Sequence, residues 1–544
     1  MKNIDIENLK AKVSELIIIR ASGHVSDDLR EYPEWELNNF KLRKLIKGGI
    51  GGGILLGGTI QELQIRINNL KSWTNKELLI CADLEEGVGQ RFQGGTHLAP
   101  PAAIAKIYDE DPLKAIKYAK EYGSVIGIQA KKIGINWVLA PICDINNNPL
   151  NPVINVRSWG DNANKVSLLA ASFYEGLSEQ GVLACAKHFP GHGDTYQDSH
   201  IELPNLNLTK DRLNSLELKP FKKLIELGVE SIMTAHLMLP NLDSENPTTF
   251  SKEILTNILR NTLGFDGVLV TDALVMKAIT NNYSVKEAVL SSFIAGADLI
   301  LMPANAEIAI DSICEAILHG EIPQERLYES LERRKRFLEK INYVSKNDKI
   351  IGTIEEDEHI EFSKKIIFES MEIDIPLNYI FKGQMINLIK TDYILNNKLI
   401  DKQSSSVIIP NFFCYKTLIL SEEVISPWSN DELNPFNTRL FDAEKYFLQL
   451  FIRGNPFRGN SQDDDLWLQT IKQLLRMNKL AGVVIYGSQY FWGKVKTIVG
   501  KQVPIAYSPS QEKNAQEIIL NQFLSLCSDN SKEIINHKSI NFTE

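Results

Sequence analysis

Short apolar runs alternate along this chain with longer stretches in which hydrophobic residues return every third or fourth position. The runs fall at Leu16 to Ile19, Gly52 to Leu56, Leu78 to Ala82, Trp137 to Ala140, Val182 to Ala186, Ile232 to Ala235, Val268 to Thr271 and Leu299 to Met302. Each has the length of one buried strand. The intervals hold amphipathic helical patterns, clearest at Leu113 to Lys132, Lys165 to Gln180 and Glu325 to Ile341. Strands separated by helices build a parallel sheet, and eight such runs suit a TIM-type (β/α)8 barrel, an α/β fold. In that fold reactive side chains collect where strands end.

Charge density rises between Ser345 and Glu361, in SKNDKIIGTIEEDEHIE. This predicts a catalytic barrel domain over 1–345, a linker over 346–361 and a second domain over 362–544. Strand-like runs there are Val407 to Pro410, Lys416 to Leu420, Phe447 to Ile452, Gly482 to Tyr486 and Val503 to Ala506, with helical patterns at Leu466 to Leu475 and Gln511 to Leu526. A layered α/β, sandwich-like domain is expected. Arg453 to Asn460 reads as a domain-packing turn, the alternative being a loop near the barrel mouth.

Composition narrows the classes further. The chain has 544 residues, 44% of them hydrophobic, and a net charge of −9, a sign that disfavours nucleic-acid binding. No apolar stretch reaches the length of a membrane span. The start, MKNIDIENLK, lacks a cationic segment leading into a hydrophobic core, so a cytoplasmic location is expected. Six scattered cysteines, at 81, 143, 185, 314, 414 and 527, read as free thiols in a reducing compartment.

The densest candidate chemistry lies in Lys187 to His200, KHFPGHGDTYQDSH, whose proline and two glycines exclude a regular helix. It follows the run Gly181 to Ala186, so Lys187 and His188 are expected where a strand gives way to a loop. His188 and His192 are four apart, but that spacing converges on a metal only on a helix, and no metal is expected. In Asp198-Ser199-His200 the carboxylate can fix the imidazole tautomer, leaving the other ring nitrogen to exchange protons near neutrality. Such a histidine needs a nucleophile. Asp272, closing the run Val268 to Thr271, is the best candidate, its alternative role being a cap for the next helix. Asp266, before that strand, falls at the opposite end and reads as a turn residue.

With these words in view the chain resembles glycoside hydrolase family 3, and more closely its bacterial β-N-acetylglucosaminidase branch. The resemblance runs from about residue 10 to 340, through Asp83 to Phe92 (DLEEGVGQRF), Ala140 to Asn146, Asn151 to Gly160 (NPVINVRSWG), the loop Lys187 to His200, Met233 to His236 and Gly264 to Leu274. It implies that Asp272 attacks the anomeric carbon to form a covalent glycosyl enzyme. His200, paired with Asp198, would protonate the leaving oxygen and then activate water, the retaining double displacement with a dyad in place of the usual second carboxylic acid. It also implies that Asp83, Arg157, Lys187 and His188 hold the sugar hydroxyls and that Arg91 braces the site, with no cofactor. Arg157, Asp83 and Arg91 could instead form a structural ion-pair network. His236 reads as a structural neighbour of the site, and His192 and Asp194 as residues that shape the loop. His24 and His97 lie beside glycine turns without a partner word. His319, His359 and His537 fall outside any motif.

The pattern departs from its relatives in places. DLEEGVGQRF replaces a common DQEGGRVQRF, Trp159 stands where phenylalanine is frequent, and Pro247 to Ser251 replaces a PASLS-like word. These changes bear on leaving-group preference. The activity expected is retaining exo-β-N-acetylglucosaminidase action on terminal N-acetylglucosamine of cell-wall fragments or chitin-derived oligosaccharides. The alternatives are a phosphorylase using the same intermediate, since a neutral imidazole base repels phosphate less than a carboxylate would, a β-glucosidase of the same family, and a non-catalytic sugar-binding protein.

Overall fold

Eight parallel strands form the frame of the N-terminal unit: β1 (Ile17–Ser22), β2 (Gly52–Leu56), β3 (Leu79–Ala82), β4 (Trp137–Val138), β5 (Leu183–Phe189), β6 (Ser231–Thr234), β7 (Val268–Val270) and β8 (Ile300–Leu301). Their order is β7-β6-β5-β4-β3-β2-β1-β8. A bridge between Val270 and Leu299, with Thr271 N–H donating to Leu299 O at 3.1 Å, joins the two ends of the sheet. This computed structural model describes residues 5–341, 352–377, 379–381, 385–391, 400–420, 443–453 and 462–527. The chain divides into two compact units, residues 1–360 and 361–544.

The strands are buried because helices cover the sheet outside and side chains fill it inside. Trp137 lies within this core, its Nε1–H donating to Ser231 Oγ at 3.0 Å and its ring meeting Phe337 edge-on at 5.3 Å. Helices Pro112–Ile133 and Ala163–Ser178 approach closely because both carry a glycine at the contact. A Cβ on Gly123 would strike the carbonyl of Phe173, and one on Gly176 that of Lys120. Asp266 lies ahead of β7, paired with Arg336 at 2.7 Å.

Two details of the strands differ from expectation. β4 stops at Val138, short of Ala140, whereas β5 runs on to Phe189, so Lys187 and His188 lie inside the strand. Neighbouring backbone explains the extension: Lys187 N–H donates to Pro141 O at 3.1 Å, and Ala235 N–H to Phe189 O at 2.8 Å.

The second unit holds a six-stranded sheet of β9 (Glu372–Asp374), β10 (Met385–Lys390), β11 (Lys416–Leu420), β12 (Lys445–Ile452), β13 (Leu480–Gly487) and β14 (Ile505–Ser508), ordered β11-β10-β12-β13-β14-β9. All neighbours are parallel except β9 against β14. Alternate residues serve two cores, Leu448, Val483 and Ile485 on one face and Phe447, Val484 and Tyr486 on the other. Val407 to Pro410, expected as a strand, belongs to the helix Ser405–Phe412. A four-residue apolar run has too little length to show its period, and the burial of Ser406, Val407 and Pro410 follows helical spacing. Residues 345–351 of the boundary stretch and 454–460 of the Arg453 to Asn460 segment lie outside the described residues. Beyond 351, Ile354 N–H donates to Gly94 O at 2.8 Å, and the helix Asp357–Ser370 begins within the expected linker. Among the described residues no helix is long and apolar enough to cross a membrane.

Candidate active site

Strand ends β3, β5 and β7 carry the charges that converge. Lys187 on β5 places Nζ 2.7 Å from Asp83 Oδ1 and 2.7 Å from Glu85 Oε1, both just past β3. Arg157 grips the same Glu85 with two bonds, Nε to Oε2 at 2.7 Å and Nη2 to Oε1 at 2.8 Å. Burial alone would discharge such groups, yet the mutual fields prevail: Glu85 is held well below the ordinary carboxylate range by Arg157 and Lys187, and Asp83 below it by Lys187 and Arg91. Against the pull of burial, the two carboxylates raise Lys187 above the usual lysine value. Arg91 stands at the edge, its Nε–H donating to Asp83 O at 3.1 Å. The structure brings Asp83 and Lys187 together, and Arg157 engages Glu85, a residue not singled out from its motif.

His188, next along β5, sets Nδ1 2.7 Å from Asp144 Oδ2. Asp144 also accepts the backbone N–H of His192 at 2.6 Å, so one fully buried carboxylate orients the strand end and starts the loop. Burial raises Asp144, but His188 and His192 outweigh it and hold it low. His192 lies between Thr195 Oγ1, at 3.0 Å, and Ser199 Oγ, at 2.8 Å; burial pushes it down to about 4, so it is a neutral brace. Asp194 meets Arg212 at 2.9 Å. The two rings meet edge-on at 6.1 Å, each with its own hydrogen-bond partners, and among the described residues no three His, Cys, Asp or Glu side chains gather as metal ligands would.

The loop ends in the expected dyad. His200 Nδ1 lies 2.9 Å from Asp198 Oδ1, which also accepts the His200 backbone N–H at 2.8 Å. The carboxylate fixes the ring tautomer with the proton on Nδ1. Asp272 follows β7; its N–H donates to Thr234 Oγ1 at 3.3 Å, and its Oδ1 accepts Ala273 N–H at 2.7 Å. Burial raises its carboxyl, yet His188, His236 and His200, in that order, bring it below the ordinary value. The anion thus lies in the field of three imidazoles from two other strands and the loop.

His236 sits behind it, Nδ1 2.8 Å from Thr249 Oγ1 and Nε2 3.2 Å from Ala273 O, and burial lowers its basicity. It therefore braces the Asp272 turn. Arg20 was also missed by motif. On β1 it pairs in register with Ile54, which pairs with Cys81, so it shares the face of Asp83 two residues on. Its guanidinium lies 4.9 Å from the Tyr32 ring. The one available signal was an arginine inside an apolar strand. His24 and His97 pair with Glu62 and Glu86, at 3.2 Å and 3.5 Å. His359 accepts from Gln129 Nε2 at 3.2 Å, His319 is exposed, and His537 lies outside the described residues.

Comparison with known proteins agrees over both units. The model of the glycosyl hydrolase family 3 N-terminal domain matches residues 8–336, and that of the bacterial glycosyl hydrolase family 3 C-terminal domain matches 380–525. A beta-hexosaminidase A of Pseudoalteromonas piscicida is 34% identical over 315 residues, 52% of this chain and 52% of that one, so the match spans about half the length of that relative. A beta-hexosaminidase of Methylobacillus flagellatus is 32% identical over 271 residues, 49% of this chain and 77% of that one. Among solved structures, a glycoside hydrolase family 3 beta-N-acetylglucosaminidase from Paenibacillus sp. FPU-7 superposes with a TM-score of 0.76 at 26% identity, over 96% of this chain and 97% of that one.

Proposed function

The chain belongs to glycoside hydrolase family 3, and from that premise we propose that it is a retaining, exo-acting β-N-acetylglucosaminidase. Asp272 attacks the anomeric carbon of a terminal N-acetylglucosamine while His200 gives its Nε2 proton to the leaving oxygen. The neutral imidazole then takes a proton from water, which opens the glycosyl ester and restores both groups. Asp83, Lys187 and His188 hold the sugar hydroxyls, with Arg157 and Arg91 keeping the charged cradle in place. The observation that carries this reading is the Asp198–His200 pair, 2.9 Å apart, on a loop whose imidazole acts electrostatically on Asp272.

Cell-wall fragments and chitin-derived oligosaccharides are the proposed substrates, and the cytoplasm the proposed setting, supported by six unpaired cysteines. The test is release of chromophore from aryl β-N-acetylglucosaminide and aryl β-glucoside side by side, with and without phosphate. Preference for the N-acetyl sugar, indifferent to phosphate, supports the proposal. Phosphate-dependent formation of sugar 1-phosphate replaces it with a phosphorylase, and preference for the glucoside with a β-glucosidase.

A further inference from the structure

The acid/base loop displays an aromatic ring that neither the fold nor the proposed chemistry uses. Tyr196 is 53% exposed, although its neighbours Thr195 and Asp198 are buried at 0% and 3%. The backbone beneath it is pinned. Asn148 Nδ2 donates to Asp194 O at 3.0 Å, and Asn151 Nδ2 to His192 O and Gly193 O at 2.9 Å each. The same contacts draw in the turn after β4, whose Leu150 is 55% exposed, while Ile201, directly after His200, is 36% exposed. The anchored loop thus presents the Tyr196 ring to solvent four residues before His200.

Resting on the assignment of His200 above, the occupant follows from the reaction. A proton donor must touch the leaving oxygen, so the group attached to that oxygen lies along the loop that carries the donor. We infer that Tyr196 is the platform on which a pyranose leaving group stacks, making the loop a subsite for the second sugar of the substrate. A pyranose offers an apolar C–H face ringed by hydroxyls, which matches a tyrosine ring with its polar tip.

The test compares the unaltered protein with Tyr196→Ala and Tyr196→Phe on N,N′-diacetylchitobiose and on methyl N-acetyl-β-glucosaminide, whose leaving group has no ring. Tyr196→Ala is expected to lose about tenfold in kcat/KM on the disaccharide through a raised KM, which corresponds to about 1.4 kcal/mol of stacking. On the methyl glycoside it stays within about twofold, and Tyr196→Phe retains the disaccharide rate. Equal losses on both glycosides, or no loss on the disaccharide, overturn the inference. Turnover of neither glycoside by the unaltered protein overturns the glycosidase assignment itself, and the subsite with it.

Discussion

Glu85 holds Arg157 through two bonds, at 2.7 and 2.8 Å, and shares the second oxygen with Lys187. Three charges that would each be costly to bury alone are thereby kept ionised beside the proposed sugar-binding edge. Glu85→Ala leaves the buried Arg157 without its carboxylate and Lys187 with Asp83 alone, and is expected to destabilise the N-terminal unit by about 3 kcal/mol, seen as a lowered urea midpoint. Glu85→Gln, which keeps the shape and one acceptor, falls between that variant and the unaltered protein. A midpoint unchanged by Glu85→Ala would contradict the role of Glu85 as hub.

His192 sets the pH response of the loop. Its folded-state value, about 4, lies below the ordinary 6.5, so the unfolded chain takes up the proton first as pH falls. Its contribution is complete above about pH 6.5 and is lost down to about pH 4, amounting to about 3 kcal/mol. Asp83, Glu85, Asp144 and Asp272, all depressed, extend the loss below the usual carboxylate range. Denaturant midpoints across this window should fall steadily, and His192→Gln should flatten the upper part. An equally steep curve in the variant would exclude His192 as its source.

The close helix pair supplies a packing test away from the site. Gly123→Ala drives a methyl into the Phe173 carbonyl and is expected to cost about 1 to 3 kcal/mol in thermal or urea unfolding, with kinetic constants unchanged. A neutral result would mean that the helices separate at no cost.

Asp198→Asn tests the dyad without emptying it. The amide no longer commits Nδ1–H, so kcat is expected to drop by about 10² or more on poor leaving groups while KM holds. An equal, small effect on good and poor leaving groups would remove Asp198 from proton transfer.

Much of this was legible in the residues. The eight apolar runs locate the barrel strands because fully buried parallel strands read as uninterrupted hydrophobic segments, and Asp198, His200 and Asp272 stood out because such groups at strand ends and in a glycine-rich loop have few structural uses. What stayed hidden depended on long-range pairing. Nothing local to Glu85 distinguishes it from Glu86, and Asp144 becomes the anchor of His188 only once the ends of β4 and β5 lie side by side. Val407 to Pro410 was misjudged because four apolar residues fit a helix turn as well as a strand.

The central claim is that Asp272 carries the sugar and His200 releases it. His200→Ala, given an aryl N-acetylglucosaminide with a good leaving group, should complete the first step and stall, so intact-protein mass spectrometry should show one added N-acetylglucosaminyl residue, located on the peptide bearing Asp272 and discharged by azide as the β-azide. An unmodified protein releasing the α-anomer would contradict it.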